Sequence, residues 1–431
     1  MIGFLGMSHL GLVSAAGAAA KGFDVLAFDE DAERVDRLRA GELPVVEPGL
    51  GELLADVCGR LTFSADAERL AGCELLYIAV DVPTAPDDTS DPAPVERLLR
   101  LAAGVAAPYA CVVVLSQVEP GFTRAFGELV ERDGRTLCYQ VETLIFGRAL
   151  QRALEPERFI VGCADPAAPL PAPLRAHLGA YGCPLLPMRY ESAELSKIAI
   201  NAFLVSTIST TNTLAELCES IGARWDEIAP ALRLDARIGP AAYLTPGLGI
   251  GGSNLSRDLA TIDRLARGNG TDAGLVGTWR AHAAHRVDWP LGVLHAQLLS
   301  RVSTPRVALW GLSYKENTQS TRNSPGVRLA QILAPAGIGV TAYDPEAEPV
   351  PCPAAAFRRV ADSLEACADA DALVIATPWP AFREADPAAV AAALRGRLVV
   401  DPYGVLDADG CCAAGLSQAR LGAPLPETHL C

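Results

Sequence analysis

At 431 residues the chain exceeds one ordinary domain and implies two or three. Half of its residues are apolar, yet no uninterrupted apolar run reaches the length of a bilayer span, and a net charge of −15 argues against nucleic acid and anionic membranes as partners. Twelve cysteines without a Cys-x-x-Cys pair read as reduced cytoplasmic thiols, with Cys411, Cys412 and Cys431 unexplained, and a strand pattern from residue 2 leaves no signal peptide.

In chain order, apolar Ile2–Leu5 leads into Gly6-Met7-Ser8-His9-Leu10-Gly11, a small apolar helical stretch over 12–21, and a second strand at Val25–Phe28 ending in Asp29. That is strand, tight turn, helix, strand, with an acid 18 residues after the last glycine. A dinucleotide site needs this order: Gly6 and Gly11 let backbone approach a pyrophosphate at a helix N-terminus, and Asp29 takes a ribose hydroxyl. Ser8 stands at the middle glycine, where its Cβ crowds the phosphate approach unless the turn shifts. Asp29 favours NAD over NADP, because it would repel a 2′-phosphate.

Leu75–Val80 and Cys111–Ser116 have buried-strand patterns, and strand–helix alternation continues to about residue 190. A long helix is predicted from near Glu191. On it Lys197 and Asn201 are four apart and share a face, surrounded by Leu195, Ile198, Ala199, Ala202 and Phe203. Only three lysines occur, Lys21, Lys197 and Lys315, so lysine is kept where an ammonium differs from a guanidinium. A glycine loop follows at Gly247-Leu248-Gly249-Ile250-Gly251-Gly252-Ser253-Asn254-Leu255-Ser256-Arg257-Asp258. From about residue 300, Arg306–Leu312, Val340–Asp344 and Asp371–Ala376 read as strands of a second α/β sheet.

These segments together resemble the UDP-glucose/GDP-mannose 6-dehydrogenase family across nearly the whole chain. The glycine loop is similar to the family's Gly-Gly-x-Cys-[Phe/Leu]-Pro-Lys-Asp, with Asn254 where the nucleophilic cysteine stands. Ser192–Phe203 resembles Glu-x-x-Lys-x-x-x-Asn, and Gln140–Gly147 resembles Asn-Pro-Glu-Phe-Leu-x-Glu-Gly, keeping Glu142 but placing Phe146 at the second glutamate. Ser116–Gly121 resembles Ser-Thr-Val-x-Pro-Gly with Gln117 for the water-holding threonine, and Val82 replaces a cofactor-side threonine. Arg237-Ile238-Gly239 matches Arg-Ile-Gly, and Gly311–Pro325 matches a long string containing Lys315 and Arg322. Tyr403 stands where an arginine helps hold the nucleotide.

The resemblance implies an α/β fold of two doubly wound Rossmann-like domains joined by a central helical domain. The expected division is 1–190 for NAD, 191–300 for dimerisation and 301–431 for a nucleotide sugar, a UDP-sugar being favoured. Lys197 and Asn201 would hold the developing oxyanion, Asp258 would be the base, and Glu142 and Asn254 would complete the catalytic set. Arg237, Tyr243, Gly251 and Lys315 would face substrate. Gly6, Ser8, Gly11, Asp29, Val82, Gln117, Arg257 and Arg322 would face cofactor. No metal is implied. An amide cannot form the thiohemiacetal and thioester of an acid-forming dehydrogenase, so oxidation is expected to stop at the aldehyde. The alternatives are a redox-neutral, NAD-retaining epimerase or isomerase, and a nucleotide-binding pseudoenzyme. A cytoplasmic homodimer is expected.

Overall fold

The computed structural model describes residues 1–350, 352 and 354–426. Cys431 lies outside the described residues. Packing divides the chain into two compact units, Met1–Ile200 and Asn201–Cys431. The 32-residue helix Tyr190–Ile221 passes from one into the other.

The first unit carries β1 Ile2–Leu5, β2 Val25–Phe28, β3 Leu61–Ser64, β4 Leu75–Ile78, β5 Cys111–Val114, β6 Thr136–Gln140, β7 Phe159–Cys163 and β8 Leu185–Arg189. They form one sheet in the order β3-β2-β1-β4-β5-β6-β7-β8, parallel except where β6 meets β7. Every residue of β1, β2, β4 and β5 is buried. This is why they read as continuous apolar runs rather than alternating ones: helices cover both faces. The pleat still sorts side chains by face. Phe4, Tyr77 and Val113 join one core, and Leu5, Leu76, Ile78 and Val112 join the other.

The second unit carries helices Trp225–Leu234, Asn254–Asn269, Gly274–Val287 and Trp289–Leu294, followed by a second sheet. Its strands are β9 Arg306–Trp310, β10 Gly339–Tyr343, β11 Phe357–Arg359, β12 Ala372–Ile375, β13 Leu398–Val400 and β14 Ser417–Ala419. They lie in the order β11-β10-β9-β12-β13-β14, all parallel. Counted from its own first strand, each sheet therefore contains the doubly wound order 3-2-1-4-5-6.

The two sheets repeat one local device. A Cβ on Gly11 would fall 1.7 Å from the Gly6 carbonyl oxygen, and one on Gly326 would fall 2.1 Å from that of Gly311. Only glycine lets the helix after the turn approach so closely. The acid ending the next strand then binds the turn: Met7 N–H donates to Asp29 at 2.7 Å, and Leu312 and Ser313 N–H donate to Asp344 at 2.6 and 2.9 Å.

The helical part of the second unit is fastened by Glu219. Its carboxylate accepts from the buried Arg286 guanidinium at 2.7 Å, Trp289 Nε1 at 2.8 Å and Gly422 N–H at 2.9 Å. Among the described residues, one helix, Tyr190–Ile221, has the length and mean hydropathy to cross a bilayer. Glu194, Lys197 and Asn201 interrupt it, so its sequence is not an unbroken apolar run. Those polar groups are tied into the fold, as described below.

Candidate active site

In the first unit, Gly6 takes φ +96 and a Cβ there would meet Val80 at 2.9 Å, so the turn requires glycine. Ser8 is extended, with φ −76, and needs no glycine. Its Oγ accepts from Asp81 N–H at 2.8 Å, which fixes the side chain that sequence alone left crowding the turn. Asp29 is buried at the end of β2. Besides Met7 N–H it accepts from Asp31 N–H at 3.0 Å and Arg34 Nη1 at 3.0 Å. Arg34, a cation that would suit a 2′-phosphate, is thereby neutralised, consistent with NAD. Val82 and Gln117 are both half-buried, after β4 and β5 respectively.

Glu142 and Lys197 meet. Lys197 Nζ lies 2.8 Å from Glu142 Oε2, with both side chains largely shielded. Near them stands Glu194, the glutamate of the Glu-x-x-Lys motif, to which the sequence alone assigns no role. Fully buried on the same helix, it accepts from Gly121 N–H at 2.6 Å and Thr123 N–H at 2.8 Å. It thus pins the loop after β5, which carries Gln117, to the helix carrying Lys197. Burial pushes its carboxyl above the ordinary range in spite of the two amides. A glutamate inside an apolar helical run was the available signal.

Phe146, at the family's second glutamate, stacks on His9 with centroids 4.1 Å apart and planes 19° from parallel. His9 Nε2 lies 3.0 Å from Glu47 Oε2, and Glu47 also accepts from Gly147 and Ala149 N–H. Burial alone would raise the Glu47 carboxyl; the bonds from His9, Gly147 and Ala149 outweigh it and hold the group below its usual value. Neither His9 nor Glu47 carried a periodic signal, because their pairing spans 38 residues.

In the second unit, Asn201 Nδ2 donates to Asp258 Oδ2 at 2.5 Å, and Arg257 Nε lies 3.5 Å from Asp258 Oδ1. All three are buried. Arg257, expected on the cofactor side, is here a neighbour of the Asp258 carboxylate. Asn254 is exposed and begins helix Asn254–Asn269. The apolar cluster containing Leu259, Ile250 and Leu255 includes no cysteine.

The glycine loop rests on the segment after β9. A Cβ on Gly251 or Gly252 would fall 3.0 or 2.9 Å from the Tyr314 ring, Gly252 N–H donates to the Arg322 carbonyl at 3.1 Å, and Asn323 Nδ2 donates to the Gly252 carbonyl at 2.7 Å. Gly251, Lys315 and Arg322 are thus brought to one region. Arg322 and Ser256 also line a cleft of about 540 Å³ with Arg280, Asn323 and Arg328. Tyr403 is tied in from the strand end after β13, its hydroxyl receiving the Leu248 N–H; burial pushes its pKa up to about 12. Two expected residues are not gathered. Arg237 is exposed and forms a double hydrogen bond with Asp235, and Tyr243 is half-exposed, its carbonyl accepting from Thr211.

Residues 1–172, 191–283 and 308–408 match, respectively, the NAD binding, central and UDP binding domains of the UDP-glucose/GDP-mannose dehydrogenase family. The chain is 34% identical over 450 residues to UDP-glucose 6-dehydrogenase of Pseudomonas aeruginosa, covering 97% of each protein. It is 31% identical over 446 residues to UDP-glucose 6-dehydrogenase of Rhizobium meliloti, covering 98% of this chain and 99% of that one. It also superposes on a UDP-glucose dehydrogenase structure from Pyrobaculum islandicum with a TM-score of 0.84, at 31% identity and 94% coverage of each chain. With its glycine turns, its doubly wound sheets and all three domain models in order, the chain belongs to the UDP-glucose/GDP-mannose dehydrogenase family of NAD-dependent oxidoreductases.

Proposed function

We propose that the protein oxidises the primary alcohol of a nucleotide sugar, a UDP-hexose being favoured, and releases the aldehyde. The observation that carries this reading is the pair of contacts on one helix: Lys197 with Glu142, and one turn on, Asn201 with Asp258. An ammonium and an amide one turn apart can donate to a single alcohol oxygen as it becomes negative. Asp258 accepts the hydroxyl proton, and Asn201, bonded to it, holds its carboxylate in place. Bound NAD supplies the acceptor for the hydride leaving the carbinol carbon. The residues present suit that cofactor: the Gly6–Gly11 turn admits close backbone approach and Asp29 stands at the end of β2.

The second oxidation of an acid-forming enzyme needs a thiolate to capture the aldehyde. Asn254 occupies that place in the loop, and the apolar cluster beside the loop offers no cysteine. All eleven described cysteines are free, which supports a reducing, cytoplasmic setting. The family-model ranges support a three-part division at about 190 and 300. The exposed Phe203, Leu217 and Ile221 of the long helix support a homodimer built on it.

The test is a panel of UDP-, GDP- and TDP-sugars with NAD, reading NADH by absorbance and product by mass. One NADH per sugar with a trappable aldehyde is the expected result. A four-electron acid product would overturn the role given to Asn254, and an isomer without NADH would replace oxidation by a redox-neutral reaction.

A further inference from the structure

We propose that Asp81 competes with the cofactor: its carboxylate holds the anion seat at the start of helix His9–Ala20, and the pyrophosphate of NAD binds by displacing it. In a doubly wound domain that seat belongs to the pyrophosphate, which takes first-turn amides and the positive end of the helix. Leu12 N–H makes the first backbone bond of this helix, to the Ser8 carbonyl at 3.0 Å, so the amides of residues 9–11 precede the ladder and face the turn.

One of those amides is already taken, and by an unusual partner. A serine at the N-cap ordinarily accepts from the second or third amide of its own helix. Ser8 stands at the N-cap and makes no such bond. Its Oγ accepts instead from Asp81 N–H at 2.8 Å, while the Asp81 carboxylate accepts from Leu10 N–H at 3.2 Å. The helix is thus capped from 71 residues away, by an acid standing just past β4 on the side where the cofactor must enter.

The backbone that carries Asp81 is fixed. Val80 N–H donates to Ser116 Oγ at 3.0 Å, and the same hydroxyl donates to the Val80 carbonyl at 2.6 Å. Ser116 is fully buried, and a Cβ on Gly6 would fall 2.9 Å from Val80 Cβ, so turn and strand end are in close contact. The Asp81 side chain is exposed and turns into solvent about its own bonds. Exchange at the Leu10 amide then replaces one anion by another and leaves two like charges close together, a repulsion that lowers affinity and that salt screens. NAD and NADH carry the same pyrophosphate, so the competition weakens both and speeds release of the spent cofactor. Asp81 acts on cofactor binding whichever product the reaction above yields.

The test is calorimetric titration of the full chain with NAD, ADP-ribose and adenosine at ionic strengths of about 0.01 and about 1 M. The proteins are the unmodified chain, Asp81→Asn, Asp81→Ala and, as control, Asp87→Asn, which removes an exposed charge six residues further on. Both Asp81 variants should bind NAD and ADP-ribose about tenfold more tightly at low salt. At high salt, where the Debye length contracts from ~30 to ~3 Å, the gain should fall to about twofold or less. Adenosine, which lacks the pyrophosphate, should bind all four proteins alike, and Asp87→Asn should match the unmodified chain throughout. Weaker NAD binding by the Asp81 variants overturns the proposal, because the carboxylate would then hold the cofactor. So does a gain confined to Asp81→Asn, which would come from a new amide donor, or a gain that adenosine shares or that survives high salt. Unchanged affinity in both variants, or no binding of NAD by the unmodified chain, overturns it as well.

Discussion

His177 should set an acid limit on the stability of the first unit. Its ring sits in helix Ala172–Gly179, with Nδ1 2.9 Å from the Tyr77 hydroxyl. Burial pulls its pKa from 6.5 down to about 4. The unfolded chain therefore takes up this proton near pH 6.5, whereas the folded unit resists until about pH 4. Between those limits the unfolded state binds more protons, so stability rises with pH. The contribution is complete above pH 6.5 and gone below about 4. A gap of about 2.5 pK units at ~1.4 kcal/mol each amounts to about 3 kcal/mol. His177→Phe removes the titration and keeps a ring against Phe23, which now meets it edge-on at 5.1 Å. Tyr77 retains Gln140 Oε1 at 3.1 Å as acceptor. All five tryptophans lie beyond residue 224, so fluorescence follows only the second unit. Amide hydrogen exchange of peptides spanning β4 and 172–179, corrected for intrinsic rates, is therefore the assay. Opening free energy in the unmodified chain should fall by about 3 kcal/mol more than in His177→Phe as pH drops from 6.5 to 4. Equal slopes in the two proteins would refute the reasoning, whatever the absolute stabilities.

Three further outcomes are expected. Lys197→Ala should lower turnover by about a hundred- to a thousandfold, as removal of an oxyanion donor does, with little change in UDP affinity by calorimetry. Glu219→Gln leaves the buried Arg286 without its closest carboxylate and should destabilise the second unit by about 3–5 kcal/mol, read as an earlier denaturant midpoint in tryptophan fluorescence. Asn254→Cys returns a thiol to the loop, and product mass should then show an acid with two NADH per sugar; an unchanged aldehyde would mean that other groups also block the second oxidation.

The elements best read from sequence were those whose pattern is local. β1, β2, β4, β5 and β9 are almost wholly apolar runs, β1 and β9 followed by glycine and β2 by an acid, and the resemblance located both doubly wound sheets. Edge strands were harder. β8 is half-exposed and contains Pro187, β11 has three residues ending in two arginines, and β14 reads Ser-Gln-Ala, so none carries a strand's composition. The same limit applies at the site. Lys197 and Asn201 were legible because four residues of helix separate them. That Lys197 faces Glu142, or that the Tyr403 hydroxyl accepts from the Leu248 N–H, depends on separations of 55 and 155 residues that no periodicity encodes. Arg237 shows the reverse case: the motif is legible, yet in a single chain its guanidinium is spent on Asp235.

The departures from the family pattern are not of one kind, and the difference bears on whether the site was retuned or abandoned. Phe146 is matched by a partner: its ring lies flat on His9, whose nitrogen meets Glu47, whose carboxylate in turn holds the amides of Gly147 and Ala149. One substitution is thus enclosed in a satisfied network linking the cofactor turn to the segment that bears Glu142. Drift in an idle site predicts the opposite, namely unpaired buried groups and slack packing where polar residues were lost. Among the described residues, the buried side-chain atoms without hydrogen-bond partners include none from Glu142, Lys197, Glu194, Asn201 or Asp258. The groups proposed to support hydride removal are kept in bonded geometry, whereas Asn254, at the position of the family's cysteine, is an exposed amide. That asymmetry favours a working enzyme with a shortened reaction over a relic that only binds nucleotides.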